Sequence, residues 1–376
     1  MRRSWAIRAT GTAVLATAMV IGSIGAASAS TAAAVEPSRD PYTYWGWVNV
    51  TTTVMGVYTP AAANRGNSTG LKNIVDHYAV GSYRFTFRGL GDPSGTVHVS
   101  GIGRGDRYCG IGAWASSGTK EIVDIECYKP NEQHGNAMFT VSFLATNQAT
   151  RPLGYLWAEH PSDNYDATDA YAYNNVSWPN HVTKNGPGSW AVSFPGLGVS
   201  GGDVQVTPVF GGVALSGGPQ PAWVAIGDCT VAGWGPNGPD ESVDIRCYSP
   251  NGSPSDLQFT VVFVARQALK GPGSGHAAYL WAGLPTAASY TPDSHYRYSH
   301  PAGASHVTRQ GVGRYTVTLD AMGPGGTVKV TAYGASATRC TVASIRASGS
   351  PQRVGVRCFT LAGAPANSAF SLAYQR

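Results

Sequence analysis

The sequence predicts an all-β protein: three tandem β-sandwich-like domains, each with one disulfide inside a β-hairpin, with a small β-barrel as the second choice. Three observations predict it. Six cysteines fall into three pairs, Cys109 with Cys127, Cys229 with Cys247 and Cys340 with Cys358, each separated by 18 positions. An aromatic-rich strand opens at the same distance after each second cysteine, as Phe139-Thr-Val-Ser-Phe143, Phe259-Thr-Val-Val-Phe263 and Phe370-Ser-Leu-Ala-Tyr374. Short alternating runs bounded by Gly, Pro and Asn fill the remainder, with no helical period. Fixed spacing of this kind signals an internal repeat.

Residues 1–29 read as a secretion signal. Arg2, Arg3 and Arg8 precede an uncharged, small-residue run from Gly11 to Gly25, and Ala27-Ser-Ala29 supplies a cleavage site. The general export route is expected, and the Arg-Arg pair also allows the twin-arginine route. The expected location is secreted and extracellular, where disulfides persist. No later apolar run reaches the length of a membrane span. The chain has 26 basic and 21 acidic residues, and the three arginines of the leader leave 23 to set against 21. That balance carries no electrostatic footprint for nucleic acid or an acidic membrane.

The mature part divides into unit one (40–148), unit two (153–266) and unit three (277–376), each long enough to bury its own core. The joint at 149–152 is short, and the Gly-rich joint at 270–275 is expected to be flexible.

Within each unit the cysteine stretch reads as a hairpin. If the two cysteines face each other, Trp114 stands opposite Ile122, Trp234 opposite Ser242 and Ile345 opposite Arg353, with seven residues between. Opposed antiparallel residues bring their Cα atoms within reach of a disulfide. Such a bridge stabilises a unit by roughly 3 kcal/mol in the chain-entropy account. Zinc favours close ligand pairs such as C-x-x-C, so disulfides are the expected use of these cysteines.

Other landmarks keep the same register. Tyr83, Trp190 and Tyr315 each follow a Gly-x step and open a strand, and Trp157, Trp190 and Trp281 are expected in the cores. The next strands are Thr96-Val-His-Val99, Asp203-Val-Gln-Val206 and Thr327-Val-Lys-Val330. The succession YLWA, YxY, HVT, Gly-x-aromatic strand, VxVT, C-TV and V-x-V-R-C resembles a tandem cysteine-pair β-repeat of secreted actinobacterial proteins of unassigned function. The resemblance covers nearly all the mature chain and implies export and tandem β-domains. Unit one departs from it, with Tyr-Trp-Gly-Trp47 for YLWA and no YxY pair.

The motifs that could carry chemistry each have a plainer explanation. Gly198-Val-Ser-Gly-Gly202 matches the nucleophile-elbow pattern, but the elbow needs a strand-to-helix turn and here it joins two strands. His181 and His306 recur before Val182 and Val307 where unit one has Ile74, which favours a packing role. His295 and His300 stand in a Tyr-rich loop. Asp163, Asp166 and Asp169, with Asn164 and Asn174, form an oxygen-ligand group of the calcium type without the alternate spacing of a calcium loop. Calcium is the one cofactor weighed. No catalytic residue and no metal ligand is assigned.

Two features favour binding over catalysis. Unit two carries an insertion around 209–221, followed by Trp223, and long loops on a β scaffold often hold binding residues. Tyr171 and Tyr173, matched by Tyr296 and Tyr298, with Trp178 nearby, alternate beside a polar loop and suit stacking on a sugar face. The expected function is binding or adhesion to a glycan, cell wall or protein surface. The alternatives are an extracellular hydrolase with its site in unit two and a passive structural protein of the envelope.

Overall fold

A computed structural model describes residues 42–91, 95–103, 107–168, 170–176, 179–211, 225–270, 275–346 and 349–376, so the expected secretion signal lies outside the described residues. Their regular elements are 27 strands and two single 3-10 turns, Ala62–Asn64 and Ser294–Tyr296. Unit one supplies β1 (Thr43–Val50), β2 (Gly56–Tyr58), β3 (Arg65–Asn67), β4 (Ile74–Ala79), β5 (Ser82–Arg88), β6 (Thr96–Ile102), β7 (Tyr108–Ser117), β8 (Lys120–Tyr128) and β9 (Met138–Thr146). Unit two supplies β10 (Leu153–Ala158), β11 (Tyr165–Ala167), β12 (Tyr173–Asn174), β13 (Asn180–Gly186), β14 (Ser189–Phe194), β15 (Asp203–Val209), β16 (Asp228–Asn237), β17 (Asp240–Tyr248) and β18 (Gln258–Val264). Unit three supplies β19 (Ala277–Ala282), β20 (Ser289–Tyr290), β21 (Arg297–His300), β22 (Ser305–Gly311), β23 (Arg314–Leu319), β24 (Thr327–Tyr333), β25 (Thr338–Arg346), β26 (Gln352–Thr360) and β27 (Ala369–Gln375).

The strands form three nine-stranded sheets, and each sheet draws on two units. Their orders are β12-β10-β18-β15-β7-β8-β5-β4-β2, β11-β13-β14-β17-β16-β24-β27-β19-β21 and β20-β22-β23-β26-β25-β6-β9-β1-β3. None closes into a barrel. Five strands of one unit continue into four of the next through a single parallel contact. Those contacts set Ile111 beside Val209, Val231 beside Tyr333 and Val342 beside Ile102. Main-chain hydrogen bonds pin all three: Phe210 N to Ile111 O (2.8 Å), Gly334 N to Val231 O (2.9 Å) and Gly103 N to Val342 O (2.9 Å). Unit one leads to two, two to three and three back to one, so the cycle closes. Strands β6, β7, β15, β16, β24 and β25, which would otherwise stand at sheet edges, are thereby paired.

Inside each unit the two half-sheets face one another across an apolar core. Alternation puts Tyr83, Phe85 and Phe87 of β5 and Phe139, Val141 and Phe143 of β9 in the first core. Trp190, Val192 and Phe194 meet Phe259, Val261 and Phe263 in the second. Tyr315, Val317 and Leu319 meet Phe370, Leu372 and Tyr374 in the third. Trp190 is fully buried, its ring edge-on to Phe259 at 5.3 Å. Burying a side chain of this size contributes roughly 1.5–3 kcal/mol.

The cysteines face each other as expected, Cys109 with Cys127, Cys229 with Cys247 and Cys340 with Cys358, at Cα separations of 4.1, 4.0 and 4.0 Å. The main chain explains the closeness. Cys127, Cys247 and Cys358 donate their N–H groups to Gly81, Gly188 and Gly313, and accept from Gly135, Ser255 and Ala366. Both polar groups therefore point away from the partner strand, which makes each cysteine pair a narrow, non-hydrogen-bonded one. The rest of the hairpin register departs from expectation. Trp114 lies opposite Val123, Trp234 opposite Val243 and Ile345 opposite Val354, one residue off. A β-bulge at Gly112, Ala232 and Ala343 adds one residue to the first strand. The strands then run on to tight turns: Ser117 pairs with Lys120 and Asn237 with Asp240, leaving two residues between rather than seven. Gly118 and Gly238 supply the positive φ there, 58° and 64°.

The Gly-x-aromatic step has a steric cause. Gly81, Gly188 and Gly313 have φ of 76°, 62° and 61°, and a Cβ on any of them would strike the carbonyl oxygen of the second cysteine. Their N–H groups donate to Asn136, Asp256 and Asn367 at 2.8, 2.6 and 3.0 Å. Unit one's departure from YLWA and YxY is also compensated. Tyr155 stacks on Tyr173 and Tyr279 on Tyr298, both at 5.5 Å. At the same register Trp47 pairs with Gly66, whose missing side chain makes room for the indole.

Gly188→Ala is expected to lower unfolding stability by roughly 2–3 kcal/mol, because it combines backbone strain with a main-chain collision. Urea titration of the oxidised protein measures it. The neighbouring Ser189→Ala serves as control and should stay within about 0.5 kcal/mol.

Candidate functional site

The tyrosines singled out by the sequence are half-buried at the seams between units. Tyr171 packs edge-on to Trp114 at 5.0 Å and Trp157 at 5.4 Å, joining unit two to the hairpin of unit one. Tyr296 lies 5.6 Å from Trp234 and 5.1 Å from Trp281, and Tyr333 completes that cluster. Tyr173 and Tyr298 are the stacking partners of Tyr155 and Tyr279. Trp157 and Trp281 therefore belong to the seams and not, as expected, to the sandwich cores. At the third seam the places of Trp114 and Trp157 are taken by Ile345 and Asn49. Trp178, Trp223, Asp169 and residues 212–221 of the insertion lie outside the described residues. Phe210, at the start of the insertion, is buried edge-on to Tyr128 at 5.7 Å.

The other candidates fall into local structural roles. His181 does not pack inward. Its Nδ1 meets Asp166 at 2.5 Å, and His306 meets Thr291 at 3.2 Å, both at the surface. Asn164 accepts from Lys184 N and Asn174 bonds Asn180 and the Pro195 carbonyl, so these amides brace loops. Ser200 is exposed, and the two glycines after it fit under His295 and the Phe263 ring. Lys270, at the joint expected to be flexible, is buried with its Nζ 2.7 Å from the Arg376 carbonyl oxygen.

Where the three units meet, the polar faces of β6, β15 and β24 are buried against each other. Val99 N donates to Thr207, Val206 N to Thr331 and Val330 N to Ser100, at 3.1, 3.2 and 2.9 Å. One step along, the equivalent positions carry His98, Gln205 and Lys329. His98 sits between the Thr96 and Thr207 hydroxyls, and burial together with Lys329 pushes its pKa down to about 3. Lys329 donates to Thr140 at 2.8 Å, and burial holds it well below the usual lysine range. Asp203 is pushed up to about 6 by burial, against the opposing effect of bonds from Ser371 and Gln205. The cavities at this junction, about 40 and about 10 Å³, have room for water and not for an organic ligand.

An open cleft of about 740 Å³ lies on the outer face of unit three, lined by Thr316, Ser344, Ile345, Arg346, Arg353 and Gly355, with 349–351 at its rim. Register explains why it exists in this unit. Arg84 stands opposite Asp124 in unit one and Ala191 opposite Asp244 in unit two, but Thr316 faces Gly355 in unit three. In unit one the space is taken by a bidentate pair, Arg84 Nε and Nη2 each donating to an Asp124 oxygen at 2.8 Å. Loss of one carboxylate and of one long side chain leaves a trough with a bare floor. The signal was legible as the replacement of a recurring aspartate by Gly355.

Among the described residues no three His, Cys, Asp or Glu side chains gather as a metal-holding group. Comparison with protein-family models, curated proteins and solved structures returns no match.

The buried carboxylate makes stability depend on pH. Asp203 has a folded pKa of about 6 against an ordinary aspartate value of 3.8. Its contribution is full below about pH 4 and is lost as pH rises through about 6. His98 acts in the opposite sense: its neutral form is held in the fold, so stability falls as pH drops from 6.5 toward 3. Asp203→Asn should therefore gain stability relative to the parent between pH 4 and pH 8, by about 3 kcal/mol at most. Thermal melts at both pH values measure it, and an unchanged difference would show that Asp203 does not titrate in this window.

Proposed function

We propose that this chain is an exported binding protein that holds an extended glycan along the outer face of unit three. The observation that carries this reading is the open cleft over Gly355, a trough floored by backbone and flanked by hydroxyls and guanidinium groups. A β-sheet surface interrupted by one missing side chain admits a chain lying across it, whereas closed pockets suit small ligands. Three disulfides and the leader-like residues 1–29 support an extracellular setting. Because every sheet is shared between units, the scaffold under the cleft is held from both sides, which favours a preformed site. No observation made on the described residues favours the hydrolase or the passive structural alternative.

Filling the trough tests the idea. Gly355→Gln places a side chain where units one and two already carry aspartate. Its Cβ meets Ser344 Oγ at 2.8 Å, so the serine side chain must turn aside, and the melting temperature is expected to fall by roughly 2–4 °C at most. Binding on a glycan array and to isolated cell walls should weaken at least tenfold. An unaltered binding profile, or a parent protein that retains no carbohydrate at all, would overturn the assignment.

A further inference from the structure

We infer that the cleft face of unit three is built for an acidic polysaccharide, with anionic groups seated on two arginine pairs. The inference rests on the glycan-binding role proposed above and names its ligand class. Charge is distributed unevenly along the chain. Residues 277–376 hold nine basic and two acidic side chains, 153–266 hold three and ten, and 40–148 hold eight of each. The near-neutral total hides this division.

The basic residues of unit three are also placed against the usual rule. Arg346 stands directly opposite Arg353 across β25 and β26, and Arg314 directly opposite Arg357 across β23 and β26. Like charges directly opposed on an antiparallel pair destabilise a sheet. Unit three has two such pairs, unit one has one on the matching strands, Arg88 opposite Lys120 at the end of β5 and β8, and unit two has none. Among the described residues none of these four arginines forms an ion pair with a carboxylate. Arg314, Arg346 and Arg353 are exposed and Arg357 is half-buried. A bound anion bridging each pair converts repulsion into two charge-assisted contacts, and the planar guanidinium fork suits carboxylate, sulfate and phosphate alike.

Spacing selects a polymer over a small ion. Arg353 and Arg357 lie on the same face of β26, four residues apart, so the two pairs are separated by about 13 Å. Between them lies the floor at Gly355 with the Thr316 and Ser344 hydroxyls, and Thr318 stands opposite Arg353. Hydroxyls between charge clamps suit sugar rings between anionic substituents. No aromatic ring lines the cleft to stack a base, which argues against single-stranded nucleic acid.

The test uses the full-length oxidised protein and four probes: heparin fragments, polygalacturonate, neutral dextran and oligo-dT, titrated at 50 and 300 mM NaCl. Heparin or polygalacturonate should bind, with affinity falling at least tenfold at the higher salt. The double variant Arg353→Gln/Arg357→Gln should weaken that binding at least tenfold without lowering the melting temperature. Binding of neutral glycan that is lost in Gly355→Gln but kept in the double variant would overturn this inference and leave the proposed function standing. Oligo-dT binding as tight as the acidic glycans would overturn the glycan assignment. Binding to no carbohydrate would remove both readings.

Discussion

The structure depends on three short parallel contacts, Val209 with Ile111, Tyr333 with Val231 and Ile102 with Val342. Each splices the hairpin half of one unit to the inner half of the next, so that no sheet belongs to a single unit. Everything nearby follows from that splice. The aromatic clusters around Tyr171 and Tyr296 fill the angles it creates, and the hydroxyls of Ser100, Thr207 and Thr331 cap the main chain of the adjoining unit. Buried polar side chains of this kind cost desolvation and are retained where they are satisfied by partners. Here the partners come from another unit, which ties the inner face to one arrangement of the three.

Much of the fold was legible because its constraints are local. Equal cysteine spacing is a direct consequence of one hairpin built three times, and the Gly-x-aromatic step reports a main-chain collision that only glycine avoids. The bulge was not legible, since an extra residue such as Ala232 leaves the count between cysteines unchanged and alters only which residues face each other. The polar alternation of Asp203-Val-Gln-Val206 conceals its surroundings for a different reason. Alternation usually means one face in the core and the other in water, yet here the second face is buried against two neighbouring units. A single sequence cannot distinguish water from a polar neighbour as the partner of an alternating strand.

The site was less legible, and the aromatic residues show why. Tyr171, Tyr173, Tyr296 and Tyr298 had the residue type and polar flanks of a sugar-stacking surface, and the structure turns them toward Trp114, Tyr155, Trp281 and Tyr279. An aromatic ring at a loop is equally good at closing a seam. By contrast, the cleft is written as a deletion: Gly355 stands where Asp124 and Asp244 stand elsewhere. The arginine pairs are still harder to see, because Arg314 and Arg357 become neighbours only when the strand order is known. The division of charge was present in the sequence all along and was averaged away by taking the whole chain at once.

Joining the three units in one polypeptide has a consequence for the field around the molecule. Three identical subunits related by a threefold axis must present the same face three times, and their dipole perpendicular to that axis is zero by symmetry. A single chain is released from that condition. With the negative excess on residues 153–266 and the positive excess on 277–376, the molecule has an electrical front and back, and it will turn to meet a charged surface before any atom of that surface is touched.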